Sequence, residues 1–222
     1  MNNKKFALLS VFNKEGIVEF AQNLVHMGWS ILSSGGTHKT LVSSGVLSLD
    51  VAEITGQKPI LEQRVATLHP HIHGGLLATE TMLEELERLG YPWIDLVCVD
   101  FYPLEVAILQ AQATPESILK TTDIGGPTLL RSGAKGRRIT ICDPNDRELI
   151  LRWLDAGSPD NDTIRTALAA KTELVVAHYC MISGQYTQKL AASMPIMDGQ
   201  AHMFRTLLTA TSPKLTHLNP DA

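Results

Sequence analysis

Five short apolar runs, most of them followed by a stretch of helical period, constrain this chain more than any other feature. Phe6–Val11, Ser30–Ser34, Leu47–Ile54, Trp93–Phe101 and Arg138–Cys142 read as buried strands. Between the first two, Ile17, Val18, Phe20, Ala21, Leu24 and Val25 recur at helical spacing within Lys14–Met27, and Gly28 stands where a helix ends. Helical segments follow at Thr37–Ser44, Met82–Leu89, Glu105–Gln112, Pro115–Thr121, Thr128–Lys135 and Asn145–Leu154. Alternation at such short intervals is the signature of βαβ units, because parallel strands must be joined by crossovers. The expected class is α/β, a doubly wound and mostly parallel sheet over residues 1–155. Strand signals then stop, and Ile164, Leu168, Lys171, Val175, Ala177 and Ile182 predict a helical C-terminal extension, residues 156–222, packed on that core. Thr55–Thr79, rich in Gly and Pro, reads as an ordered loop of the functional kind.

Bulk properties narrow the function. A net charge of −4 without a run of basic residues argues against a nucleic-acid partner, which needs a concentrated cationic surface. A single anionic nucleotide needs only one or two local cations and some backbone N–H groups. No segment reaches the length of apolar sequence that crosses a bilayer, and the N-terminal apolar run is too short for a signal peptide, so the expected address is the cytoplasm. Cys98, Cys142 and Cys180 lie far apart in apolar runs and read as buried free thiols.

Three stretches carry chemistry. Ser33-Ser34-Gly35-Gly36-Thr37 lies between a strand and a helix, where backbone N–H groups, the hydroxyls of Ser34 and Thr37 and the helix N-terminus can hold a phosphate. An ordinary strand-to-helix turn capped by a hydroxyl is the plainer alternative. Lys14, at the carboxyl end of the first strand, would supply the countercharge. His69-Pro70-His71-Ile72-His73 would set three imidazoles on one face of an extended segment, but no carboxylate or cysteine accompanies them, and a hydrogen-bonded loop histidine is preferred to a metal site. Asp123 and Lys135 flank a Gly-Gly turn and a helix, and meet only if both point into one cleft.

Read together, these stretches resemble the IMP cyclohydrolase domain of the bifunctional last enzyme of purine synthesis, whose fold is methylglyoxal-synthase-like. The resemblance rests on Leu9-Ser10-Val11 with Lys14 and Gly16, Ser34-Gly35-Gly36-Thr37, Arg64-Val65 with Thr67-Leu68-His69-Pro70, Ile72 to Ala78, Asp95-Leu96-Val97, Tyr102-Pro103, and Asp123 to Arg131 with Ala134-Lys135. These blocks occur in order over most of residues 6–155. Leu215 to Pro220 looks like the junction that leads to the family's formyltransferase domain, which the chain is expected to lack.

The resemblance implies closure of the purine six-membered ring, in which a carboxamide nitrogen attacks a neighbouring formamide carbon and water leaves. It implies no cofactor and no metal. Lys14, Ser34, Gly36 and Thr37 would hold the 5′-phosphate; Arg64, Thr67, Asp100, Gly125 and Gly126 would line the substrate pocket; Tyr102, Asp123 and Lys135 would surround the reacting atoms, the last two as an acid–base and electrostatic pair. The partner is a purine-precursor ribonucleotide, with a homodimer as a candidate assembly. Departures from the pattern are Ala66 where the family has lysine, Phe12 for a small polar residue, Asp100 for asparagine, Gly136 for asparagine, Glu173 for an aromatic residue and Cys180 for aspartate. Two alternatives stay open: the same cyclisation on an analogue nucleotide in a specialised pathway, or a catalytically impaired nucleotide-binding protein.

Overall fold

The computed structural model of the chain describes residues 5–61 and 65–195, together with Met203. Five parallel strands, β1 (Lys5–Ser10), β2 (Trp29–Ser33), β3 (Leu49–Asp50), β4 (Ile94–Val99) and β5 (Ile139–Ile141), lie in the order β3-β2-β1-β4-β5. Their continuous apolar character has a simple cause: both faces of the sheet are covered. Ala7 and Leu9 of β1, Ile31 of β2 and Leu96 and Cys98 of β4 enter one core, while Leu8, Leu32, Val97 and Val99 enter the other. Helices α1 (Ile17–His26) and, late in the chain, α9 (Asp146–Asp155) close the first face. After β2 comes α2 (Gly35–Ser43), and the short α3 (Val51–Thr55) follows β3 directly.

The predicted third strand, Leu47–Ile54, is cut to two residues. Asp50 ends it by accepting the Ala52 N–H at 2.9 Å, while the Glu53 carboxylate accepts the Asp50 N–H at 2.9 Å. This reciprocal capping starts a helix where β-propensity alone favours a strand.

The predicted loop Thr55–Thr79 is also corrected, because it contains α4 (Pro70–Leu77). His69 Nδ1 accepts the His71 N–H at 3.2 Å, and Pro70 occupies the first helical position, where its missing N–H is harmless. The three histidines therefore do not line one face of an extended segment. His71 Nδ1 reaches the Ile54 carbonyl and His73 Nδ1 the Ser132 hydroxyl at 2.9 Å. Close packing fixes α4 in place: a Cβ on Gly75 would stand 2.1 Å from the Pro92 carbonyl oxygen. The buried Arg138 donates to the carbonyls of Leu76, Gly75 and Ala78 at the end of α4, its guanidinium 3.7 Å from the Trp93 ring centre.

Helix α5 (Leu83–Arg88) precedes β4, and α6 (Leu104–Leu109), α7 (Pro115–Thr121) and α8 (Gly125–Lys135) follow it. Helix α8 begins three residues before the predicted Thr128 and packs on the second face with α4. Among the described residues of the predicted C-terminal extension, the long helix α10 (Asn161–Ala192) dominates. It packs along α8 and β5, and its Leu168, Val176 and Tyr179 each join a different apolar cluster. Arg165 ties α10 to β4 through two hydrogen bonds of 2.9 Å to Asp95. Of the cysteines, Cys98 is buried, which pushes its thiol up to about 11, but Cys142 is half-buried and Cys180 exposed, so burial holds for one of the three. Among the described residues, no helix is long and apolar enough to cross a membrane.

Candidate functional site

The strand order reverses between β1 and β4, and in a doubly wound sheet such a point leaves a crevice beyond the carboxyl ends of the strands. A cavity of about 570 Å³ lies there. Ser10, Val11 and Phe12 line it from the end of β1, Ser34 from the end of β2, and Asp100 and Tyr102 from the end of β4. Ala66 and Thr67 form another wall, and the run Leu119–Gly126 a third. Among the described residues lining it, Lys120 is the basic one.

The loop after β1 is clamped from several sides. Asp100 accepts the backbone N–H groups of Phe12 and of Asn13, the latter at 3.1 Å. Its other carboxylate oxygen faces the Arg147 guanidinium of α9 at 3.3 Å, with both side chains nearly buried. Arg147 also donates to the Glu15 carbonyl at 2.7 Å. Lys14 turns back to donate to the carbonyls of Val11 and, at 3.1 Å, Phe12. Burial lowers the Lys14 pKa, and the Asp100 charge opposes that shift. The ammonium stands 3.9 Å from where a Cβ would sit on Gly36, at the N-terminus of α2. Ser10 and Ser34 join hydroxyls at 3.1 Å beside it. Thr37 behaves differently from the expectation. Its buried hydroxyl accepts the Val11 N–H at 3.0 Å and donates to the Val11 carbonyl at 3.1 Å, so it stitches the loop to α2 and does not line the cavity.

Asp123 sits at the foot of α8. Its carboxylate accepts the Gly126 N–H at 3.2 Å, and its own N–H donates to the Tyr179 hydroxyl of α10 at 2.7 Å. Burial raises the carboxyl pKa; the N–H groups of Gly126, Gly125 and Ile124 pull it down, and burial dominates. Space is tight at both glycines and decisive at Gly126. A Cβ on Gly126 would meet the Asp123 carboxylate at 2.4 Å, and one on Gly125 the Thr67 hydroxyl at 3.1 Å.

The structure thus brings Ser34, Thr67, Asp100, Tyr102, Asp123, Gly125 and Gly126 to one cavity, with Lys14 and Gly36 beside it. Lys135 does not join them. It is exposed at the far end of α8, and eleven residues of helix put it about 15 Å from Asp123. Arg64 lies outside the described residues, as does the Leu215–Pro220 stretch. Sequence reasoning missed Arg147, Tyr179 and Lys120. An arginine at a helical position that also carries apolar neighbours was the available signal for the first; the other two had none.

A family model of the MGS-like domain matches residues 16–128, just over half of the chain, and that span holds every cavity wall except Ser10–Phe12. The chain belongs to the MGS-like domain family. Curated relatives of this MGS-like domain include the bifunctional purine biosynthesis protein PurH of Bacillus cytotoxicus, 39% identical over 198 residues that cover 86% of the chain and 39% of that protein. PurH of Lactobacillus acidophilus is 42% identical over 191 residues, 83% of the chain and 37% of that protein. The chain therefore spans about two fifths of the length of the curated relatives it matches. The crystal structure of ForH superposes with a TM-score of 0.70 at 31% identity, covering 81% of the chain and 94% of ForH. The resemblance read from the motifs holds for the family and for the fold.

Proposed function

We propose that this MGS-like domain is an IMP cyclohydrolase-type enzyme, closing the ring of 5-formamidoimidazole-4-carboxamide ribonucleotide to give IMP and water. The observation that carries the reading is the meeting of Asp123, its pKa raised by burial, with Tyr102 and Thr67 in a cavity beside the Lys14–Gly36 corner. The purine-biosynthesis relatives support it.

The 5′-phosphate lies at the N-terminus of α2, held by the Ser34 hydroxyl, the N–H groups beginning at Gly36 and the Lys14 ammonium. Thr37 acts on this site only through the loop it anchors. The heterocycle then lies toward Asp123. An amide nitrogen is a poor nucleophile, so a base must take its proton as it attacks the formyl carbon. Asp123 does so; its raised pKa makes it a better acceptor than a solvated carboxylate. The new C–N bond forms while the carbonyl electron pair moves to the formyl oxygen, where the Tyr102 hydroxyl donates. Asp123 returns the proton to that oxygen, and the hydroxyl leaves as water with the formamide N–H proton as the C=N bond forms. Holding both groups of one substrate in contact supplies much of the remaining acceleration.

The test is direct: incubate purified protein with the formylated carboxamide ribonucleotide and follow appearance of the purine chromophore. Acceleration over buffer, lost in Asp123→Asn, supports the reading. No acceleration with IMP binding intact refutes it. Ala66 on the cavity wall, where the resemblance calls for lysine, favours a second reading: the same cyclisation on an analogue nucleotide. Turnover of the analogue above that of the carboxamide substrate would select it.

A further inference from the structure

An exposed phenylalanine on a loop is ordinarily mobile, and nothing in the fold profits from ordering it. Phe12 is the opposite case. It is 52% exposed, yet its backbone is gripped on both sides by charged groups. Asp100 accepts its N–H, and Lys14 donates to its carbonyl at 3.1 Å. Asp100 is itself held by Arg147, which reaches across from α9 and also fixes the Glu15 carbonyl of the same loop. The ring so presented stands on the cavity wall, edge-on to Tyr102, with ring centres 4.7 Å apart and planes at 77°. Its remaining face is turned to solvent and has no core to join, since Phe12 belongs to none of the apolar clusters. Four side chains of three elements thus converge to hold one uncovered aromatic face at the mouth of the cavity.

Resting on the nucleotide-site reading above, we propose that Phe12 is a specificity-determining residue: its free face stacks on the planar heterocycle of the bound nucleotide, and the Asp100–Arg147 pair serves to hold it there. A π-face recognises any flat heterocycle, and such stacking is worth a sizeable fraction of a nucleotide's affinity. Phe12 then selects for a base-bearing ligand, while the Lys14–Gly36 corner selects for phosphate. Tyr102, edge-on to Phe12, keeps its hydroxyl for the reacting atoms.

The experiment compares two ligands on three proteins by calorimetry: IMP and ribose 5-phosphate on the unmodified chain, Phe12→Ser and Phe12→Tyr. The expected result is at least tenfold weaker IMP binding in Phe12→Ser, ribose 5-phosphate affinity unchanged within twofold, and Phe12→Tyr close to the unmodified chain. Equal losses for both ligands would make Phe12 a scaffold for the phosphate corner and overturn the proposal. So would IMP affinity within twofold of the unmodified chain in Phe12→Ser. Failure of the unmodified chain to bind IMP would remove the nucleotide reading and this proposal together, whereas loss of turnover alone, with the binding pattern intact, would touch only the reaction.

Discussion

Arg147→Met tests the Asp100–Arg147 pair, which ties α9 to the cavity. The side chains are 7% and 13% exposed and 3.3 Å apart, so neither charge is well solvated. Removing one partner of a buried pair leaves the other uncompensated and costs about 3–5 kcal/mol. The hydrogen bond to the Glu15 carbonyl disappears as well, which weighs toward the upper end. At roughly 2–4 °C per kcal/mol for a domain of this size, the melting temperature should fall by about 6–20 °C. Asp100→Asn should be costly too: the amide oxygen can still accept both loop N–H groups, but an NH2 replaces the oxygen that faces Arg147, which loses its anion. The double variant Asp100→Asn, Arg147→Met removes both charges, and its destabilisation should fall short of the sum by about 1.5 kcal/mol or more. Urea titration followed by tryptophan fluorescence and by circular dichroism gives all three free energies. Additivity within about 0.5 kcal/mol, or a loss below about 1 kcal/mol in Arg147→Met, would show that solvent screens the pair and that the clamp is incidental.

Asp123→Asn should abolish ring closure yet leave the fold as stable or more stable at neutral pH. A carboxyl whose folded pKa is raised above its unfolded value prefers to be protonated in the native state, so its ionised form costs stability above that folded pKa and the cost fades as pH falls through it. Thermal melts of both proteins at neutral and acidic pH check the sign, and the acidic limb of the turnover profile should lie above the ordinary aspartate value of about 3.9. In Gly126→Ala the new methyl must displace the Asp123 carboxylate, and turnover should fall by about tenfold or more, read from kcat. Ala66→Lys restores a cation to the cavity wall, and a rise in kcat of the order of 100-fold marks the reaction as limited by its absence; no change assigns that role to other donors. Lys135→Ala, at the distant end of α8, should leave IMP affinity unchanged by calorimetry.

The strands at Phe6–Val11, Ser30–Ser34 and Trp93–Phe101 were legible because burial on both faces leaves an unbroken apolar signature. Helix α1 was legible from the spacing of its apolar residues. Two elements were hidden by local chemistry that overrides composition: the reciprocal cap at Asp50 shortens β3, and the Gly-rich α4 forms because Ile72 and Leu76 bury completely and Arg138 satisfies its last carbonyls. In the site, Ser34, Thr67, Tyr102 and Asp123 were readable through the family resemblance, and the structure sets all four on one cavity. Thr37 was readable as a residue but not as a role, since a hydroxyl at a helix start looks the same whether it faces an anion or a neighbouring loop. Tyr179 carried no signal, and that of Arg147, an arginine among apolar helical neighbours, does not name its partners. Their meaning lies in contacts across 47 and 56 residues, which no local spacing encodes.

The Tyr179 contact has a consequence for synthesis. A nascent chain can close its sheet once β5 has left the ribosome, but the turn that carries Asp123 keeps an unmatched amide until α10 emerges. The hydroxyl that quiets it comes from the far half of that helix, among the last described residues to be made. A translation arrest at the start of α10 would therefore release a chain that has all five strands but lacks the cover on α8 and β5 and the tyrosine behind Asp123.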